Sequence, residues 1–559
     1  MTGFTENGFT VAADSNANTG PMNSSNLDYV AWNFKAAPGF FDVVTWTGTN
    51  DGTRIPHNLG SLPGMIMVKN LDSYTENWRV YAKKEMWIDG ETYAYHRLEL
   101  NTTSSNIQDT AGVANADTFN PQAMGSEASG KRYVAYLFAD SDARFGANGD
   151  ESIIRCGTVT TSSGAIPDVN LGFEPQWLLI KNIDTTANWY LYDSMRGMPV
   201  GTYKETIYPN LSNSSLNGAN TVELTSTGFT GGPDYLASGA QTLIYMAIRR
   251  PHKPATVVTD LFDIVTAGTP PPQFRTNFPV DLVLRKGMNN AGSPAFASRL
   301  QGETTMSTSV STNVEGSASA LKWDYSNGWS SVNETDSNLY AYMFKRSPGF
   351  MDVVTYKGTG SHQAINHNLG VSPEMMIVKS RNGATGWAVY HSSLQDSATS
   401  LLFLHSDNNA YTGVTQHWGS SDPTSTSFTV ANDWDVNRNT YDYVAYLFAT
   451  QSGISKVGSY IGNGPNGAQQ VDCGFTNGAA FILVKNASSD GDWYLLDSER
   501  GINAYNQTEP YITLNNAATQ QTANILGYHN VGFMISGQYG SASLNNANER
   551  YIFLAIANP

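Results

Sequence analysis

The sequence predicts an all-β protein, a row of tandem antiparallel β-sandwich modules, jelly-roll-like and about 100 residues each. Three observations lead there. The composition suits pleated sheets joined by turns, with 11% aromatic residues, 51 glycines and only 14% charged residues, well under the usual quarter or so. The chain repeats itself at a long, nearly constant offset. Its clearest apolar runs are short and bounded by Gly and Asn. Helix bundles draw on Ala, Glu, Lys and Leu instead, and the best helical candidate, Leu394 to Leu404, is broken by Ser and Thr.

The repeats organise the chain. PGFFDVVTWTGT at 38–49 returns as PGFMDVVTYKGT at 348–359, HNLGSLPGMIMVK from His57 returns from His367, and YVAYLFA at 133–139 returns at 443–449, all with an offset of 310. A second family pairs IKNIDTTANWYLYDSMRG at 180–197 with VKNASSDGDWYLLDSERG at 484–501, and IYMAIRRP at 244–251 with IFLAIANP at 552–559. Both families place a strand-like run ending in Lys, a polar gap, a Trp and a closing aromatic strand in the same order. Five modules follow, at 39–147, 148–252, 253–347, 348–451 and 452–559, the third the most diverged. Residues 1–38 read as the closing strands of an incomplete module: the chain begins mid-module, is cut from a longer one, or completes a sheet supplied by another chain.

Within a module the closing strand decides the class. In Tyr133 to Phe138 both period-two faces are apolar or aromatic, which marks a central strand covered on both sides. MIMVK and MMIVK behave alike and end on a Lys expected to leave the core. FDVVTYKGT mixes polar and apolar positions, as a strand with one wet face does. The turn His57-Asn58-Leu59-Gly60 recurs at His367 to Gly370, becomes Val169-Asn170-Leu171-Gly172, and then Val471-Asp472-Cys473-Gly474. Asn/Asp is expected to bond the backbone and Gly to supply positive φ, with His optional.

No residue is assigned a catalytic, cofactor-binding or metal-binding role. His57 and His367 stand alone, without a ligand at metal spacing, and read as turn histidines bonded to backbone. Cys473 takes a slot otherwise held by leucine and reads as a small buried hydrophobe; Cys156 lies elsewhere in its module, so no disulfide is expected. Asp193 to Gly197 and Asp497 to Gly501 read as an Asp–Arg pair closing a turn, in preference to a sugar site. Trp78, Trp189, Trp387 and Trp493 recur at one position and read as core in preference to a glycan platform. Recognition is expected in the long loops Tyr390–Ser427 and Asp89–Gly125. Calcium in an Asn/Asp turn stays open, but no EF-hand spacing exists.

The net charge of −16, without a Lys/Arg cluster beyond the isolated pairs Arg249-Arg250 and Lys345-Arg346, argues against nucleic acid and against anionic membranes. No apolar run is long enough to span a bilayer, and MTGFTENGFTVAADS is not a signal peptide, so synthesis in a cytoplasm without Sec export is expected. No nucleophile elbow, zinc-protease helix motif or P-loop is present.

In combination, Y-V-A-Y/W-x-F, P-G-F-F/M-D-V-V-T-Y/W, H-N-L-G-x-x-P-x-M-M-I-V-K and D-S-x-R-G resemble repeat domains of tailed-phage virion proteins. Such domains are common in marine phages and often stand beside concanavalin-like (LamG-type) domains. The resemblance covers nearly the whole chain and implies a structural virion protein, a tail fibre or tail appendage in contact with the host surface. It implies a homo-oligomer, a trimer by analogy with phage fibres, together with other virion proteins and a host glycan or receptor as partners. It supplies no catalytic residues and no cofactor, so the chain is expected not to be an enzyme. The alternatives are a capsid decoration protein, and a carbohydrate-binding protein or glycan depolymerase.

Overall fold

In the computed structural model, closing strands lie inside five antiparallel main sheets. The structure describes all residues except 1–2, 6–7, 13–22, 25–26, 28, 88–92, 141, 147, 202–203, 215, 219–221, 233–237, 270, 290–291, 303, 308–311, 318–320, 332–335, 465–466, 503–506 and 537–543. The start of the expected recognition loop at Asp89 and part of the expected closing strands in 1–38 therefore lie outside the described residues.

One strand order recurs in all five main sheets: first strand, closing strand, Lys-bearing strand, then a fourth strand that carries or follows a Trp in every sheet but the third, where it is Ala295–Ser298 and carries Phe296. In the fourth sheet these are Met351–Lys357, Asp442–Phe448, Met375–Ser380 and Trp387–His391. In the fifth they are Ser455–Ile461, Arg550–Ala557, Ala479–Asn486 and Trp493–Asp497. The first, second and third sheets place Arg132–Ala139, Thr242–Arg249 and Leu339–Phe344 in the closing position. A smaller sheet accompanies each main one, for example Gln363–Asn366 with Ser427–Val430. In three of the small sheets a glycine opens one strand: a Cβ on Gly228, Gly328 or Gly532 would lie 1.8, 2.2 or 2.3 Å from the carbonyl oxygen of Val169, Phe274 or Val471, so only glycine lets the strands meet.

The closing strand is covered on both faces. Tyr443, Ala445 and Leu447 share a core with Trp418, Phe428 and Val430 of the same segment. Val444, Tyr446 and Phe448 point the other way, into a core shared with the third and fifth main sheets. There Phe296 packs 5.4 Å from Trp387 and 5.5 Å from Tyr446, and Phe344 packs 5.9 Å from Phe448 and 6.0 Å from Phe481. The His391 imidazole donates to the Phe553 carbonyl at 3.4 Å, and the Trp493 indole to that of Phe403 at 3.0 Å. The third, fourth and fifth sheets thus form a trio closed around one interior. The first and second sheets meet in the same manner, with Trp177, Leu179 and Met246 clustered with Ile66, Tyr81 and Leu137, and the Trp189 indole donating to Glu99 O at 3.0 Å.

The Lys ending MIMVK, Lys69, is half-buried, but the Lys ending MMIVK, Lys379, and its counterparts in the second and fifth sheets do not leave the core. Lys181, Lys379 and Lys485 are fully buried. Their ammonium groups hold the loop that follows and also reach the preceding segment: Lys181 donates to Ala187 O and Thr103 O, Lys379 to Thr385 O and Thr312 O, Lys485 to Asn486 O and Asp407 O. Burial lowers each of these three pKa values to about 8. Short apolar sequence runs ending in Lys conceal this, because the amine is satisfied by carbonyls and needs no carboxylate. The helical content expected to be absent amounts to single turns, including Thr415–Trp418 and Trp434–Asn437 in the fourth segment.

Two outcomes follow from the shared interior. Phe296→Ala opens a cavity where two sheets meet and is expected to lower the unfolding free energy by about 3–5 kcal/mol in urea titration. Burial lowers the pKa of His391 to about 4. The unfolded chain takes up that proton near the ordinary value of about 6.5, so it binds more protons than the folded state between the two. Stability is therefore full above that value and falls by about 3 kcal/mol as pH drops to about 4; His391→Leu should flatten that slope in denaturation curves collected across the range.

Candidate functional site

The residues singled out in the sequence make hydrogen bonds and packing contacts within the fold. His57 and His367 are buried; in each the Nε2–H donates to a carbonyl, of Asn115 or Thr424, at 3.2 Å, and Nδ1 accepts from the amide of Leu59 or Leu369 at 3.3 Å. The histidine, not the asparagine, thus makes the local backbone bond in these two turns. Asn170 and Asp472 make it where valine replaces histidine, accepting from Gly172 and Gly474 at 2.9 and 2.8 Å. The glycines of all four turns have positive φ. Trp189, Trp387 and Trp493 are buried, whereas Trp78 is partly exposed. Cys473 lies in the core of the fifth segment, and Cys156 is buried in the core shared by the first two.

The D-S-x-R-G turns close as expected: Arg196 and Arg500 each donate Nε to the carboxylate of Asp193 or Asp497 at 2.5 Å, with the Arg amide on the same carboxylate at 2.9 Å. They also have a second role that the sequence did not disclose. Asp497 accepts from the Tyr342 hydroxyl at 2.7 Å, latching the fifth sheet to the closing strand of the third. Asp193 accepts from the Trp32 indole at 3.2 Å. Residues 29–40, YVAWNFKAAPGF, align without gaps on 339–350, LYAYMFKRSPGF, so Trp32 corresponds to Tyr342 and Phe34 to Phe344. Phe34 packs 5.7 Å from Phe138 and 6.0 Å from Trp177, as Phe344 packs on Phe448 and Phe481. Residues 29–34 therefore occupy the third closing-strand place beside the first two main sheets.

The rest of that third sheet has no counterpart among the described residues, and residues 29–34 pair with no strand. What it would cover is open. Val43 is 44% exposed where its counterpart Val353 is 1% exposed. Met67, Trp78 and Tyr136 are partly exposed where Ile377, Trp387 and Tyr446 are buried, the last two beneath Phe296. A cleft of about 540 Å³ runs along residues 29–34 and is lined further by Trp177, Ile248, Arg250 and Arg299.

Beneath the cleft a buried ionic network joins the second, third and fourth segments. Arg346 lies 2.9 Å from Glu174 and 3.7 Å from Asp281, Arg250 3.0 Å from Asp352 and 3.6 Å from Glu174, and Arg299 3.3 Å from Asp281. Burial opposes the charge on Asp281, but Arg346 and Arg299 outweigh it and hold its carboxyl below the ordinary range. Every charge has an opposite partner, which makes this a joint. Glu174→Gln leaves two buried guanidinium groups short of a counter-charge and is expected to destabilise by about 3–5 kcal/mol, read by urea titration at neutral pH.

A different grouping sits in the expected recognition loop of the fourth segment and beside it. His417, on the Thr415–Trp418 turn, is 5% exposed. Its Nε2 lies 3.2 Å from Asp433 Oδ1 and 3.5 Å from Asp435 Oδ2, on and beside the Trp434–Asn437 turn. Neither imidazole nitrogen makes a hydrogen bond of acceptable geometry. Burial disfavours the Asp435 carboxylate, but His417 and the Gly386 amide more than compensate and hold its pKa below the ordinary value. A His separated by sixteen residues from an Asp-x-Asp pair is too loose a pattern to stand out in sequence.

One family model, described as a domain of unknown function (DUF7483), matches residues 1–251 and 291–559. No curated protein and no solved structure matches the chain.

Proposed function

The chain belongs to the DUF7483 family, and we propose that it is a structural protein of a tailed-bacteriophage particle, a tail fibre or tail appendage whose loops touch the host surface. The observation that carries this reading is the use made of the recurring side chains. The Trp positions, the D-S-x-R-G carboxylates and the strand-end lysines act as joints between sheets, three of the four Trp being buried. Among the described residues, the repeated side chains serve packing between sheets. The phage assignment itself rests on the resemblance of the repeat motifs. The open place beside Val43, Tyr136 and residues 29–34 supports assembly: a further sheet of the same kind, carried by a neighbouring virion chain, would cover it. Buried Trp189, Trp387 and Trp493 weigh against an aromatic platform for sugars.

Immunogold electron microscopy of purified particles, with antibodies raised against the whole chain, tests the reading. Label on the tail is the expected result. Label confined to the head shell would replace the appendage with a decoration protein, and particles without label would overturn the virion assignment.

A further inference from the structure

We propose that His417, Asp433 and Asp435 form a binding site for a divalent transition-metal ion, with zinc the best fit among common ions. The argument starts from the histidine. A buried imidazole normally satisfies both nitrogens, as His57, His367 and His391 do in this molecule. His417 is as buried, yet neither nitrogen has a hydrogen-bond partner, and its Nε2 is aimed between two carboxylates. The three donor atoms all lie within 4.8 Å of one another. Metal bonds of about 2.0–2.2 Å in a tetrahedral site set ligand atoms roughly 3.3–3.5 Å apart. The separations of 3.2 and 3.5 Å from the imidazole to the two aspartates fit that edge. One imidazole and two carboxylates suit zinc, manganese, iron or cobalt, whereas calcium and magnesium take oxygen-only sets.

The donors are held in place by contacts that need no ion. The neighbouring Trp418 indole donates to Ser400 O at 3.0 Å. Asn437 accepts from the Thr359 amide and from Gln363, each at 2.8 Å. Asp433 caps its turn by accepting from the Asp435 amide at 2.8 Å, and Asp435 also accepts from the Gly386 amide. What the ion would add is a bond between two one-turn helices, each far too short to persist alone. It would therefore stiffen the loop on which the proposed function places host contact, but the site stands whether or not that reading does.

The test is a titration of the intact, chelator-treated chain with Zn²⁺ and with Co²⁺ as the spectroscopic probe, Mg²⁺ and Ca²⁺ serving as hard-ion comparisons. One equivalent of Zn²⁺ or Co²⁺ should bind with visible cobalt bands, and it should slow proteolysis of the segment 404–441. His417→Ala and Asp433→Asn should each weaken binding by at least about tenfold and remove the proteolytic protection. Asp433→Asn is informative because Asn is as good a helix cap as Asp, so the fold is retained while the charge is lost. Replacement of the exposed His362 by Ala should change nothing. Absence of stoichiometric binding, or binding equally strong in both folded variants, would overturn the site and leave an ion-paired contact between two turns. Neither result bears on where the protein sits in a particle, so failure here is distinguishable from failure of the proposed function.

Discussion

A strand with apolar side chains on both faces has to be covered twice, and the closing strand of every segment is of this kind. One cover comes from the segment itself, the small sheet with Phe428 and Val430 in the fourth segment. The other has to come from elsewhere in the chain, and in the third, fourth and fifth segments it comes from two neighbouring main sheets. A buried aromatic ring contributes about 1.5–3 kcal/mol through burial alone. Tyr342, Phe344, Tyr446, Phe448 and Phe481 all lie on the shared side, so separating the sheets would cost an amount comparable with the whole net stability of a domain.

Once the sheets must meet face to face, their edges need polar joints that fix rotation and register. Lys181, Lys379 and Lys485 supply one set, each ammonium tying the end of its own strand to backbone of the segment before it. The Asp497–Arg500 turn supplies another through Tyr342. The Glu174–Arg346–Asp281 network supplies a third, where the second segment abuts the third and fourth. Each satisfies a buried charge inside a closed set of partners, and desolvation makes an incomplete set expensive. Apolar packing alone would permit the sheets to slide; these groups specify one arrangement.

Much of this was legible in the sequence. The six-residue run Tyr133 to Phe138 announces a strand covered on both sides, and the Asn/Asp-Leu/Cys-Gly turns announce positive φ. The third dimension was not legible. Nothing in MMIVK distinguishes a lysine that reaches solvent from one that reaches Thr385 O, because the choice is made by a loop and by a neighbouring segment. Asp497 reads as a partner for Arg500 three residues on, and its bond to Tyr342 spans 155 residues. The His417 cluster was hidden for the same reason: two short turns approach only after the loop is folded over its own sheet. The alignment of 29–40 on 339–350 was available in the letters, but Trp against Tyr looks like drift until the two side chains are seen on equivalent carboxylates, Asp193 and Asp497.

The comparison between the two trios carries the last step. The first and second main sheets present the same back faces as the fourth and fifth, the same Trp indole reaching a neighbouring carbonyl, and the same D-S-x-R-G latch engaged by residue 32 in place of residue 342. Only the third cover differs. Where Phe296 seals Trp387 and Tyr446, the equivalent Trp78 and Tyr136 stack on each other at 6.1 Å and stay partly exposed. Sequence rules that close one trio leave the other, among the described residues, with a partly exposed apolar face and a positioned segment, residues 29–34, that pairs with no strand. Apolar faces of that kind mark interaction sites, and in the proposed reading the complete trio gives the shape of the cover: a sheet with an aromatic residue at the place of Phe296 and a first strand beside residues 29–34. In the proposed reading the chain's fold and its assembly therefore obey one packing rule, applied once within the molecule and once between it and its neighbour.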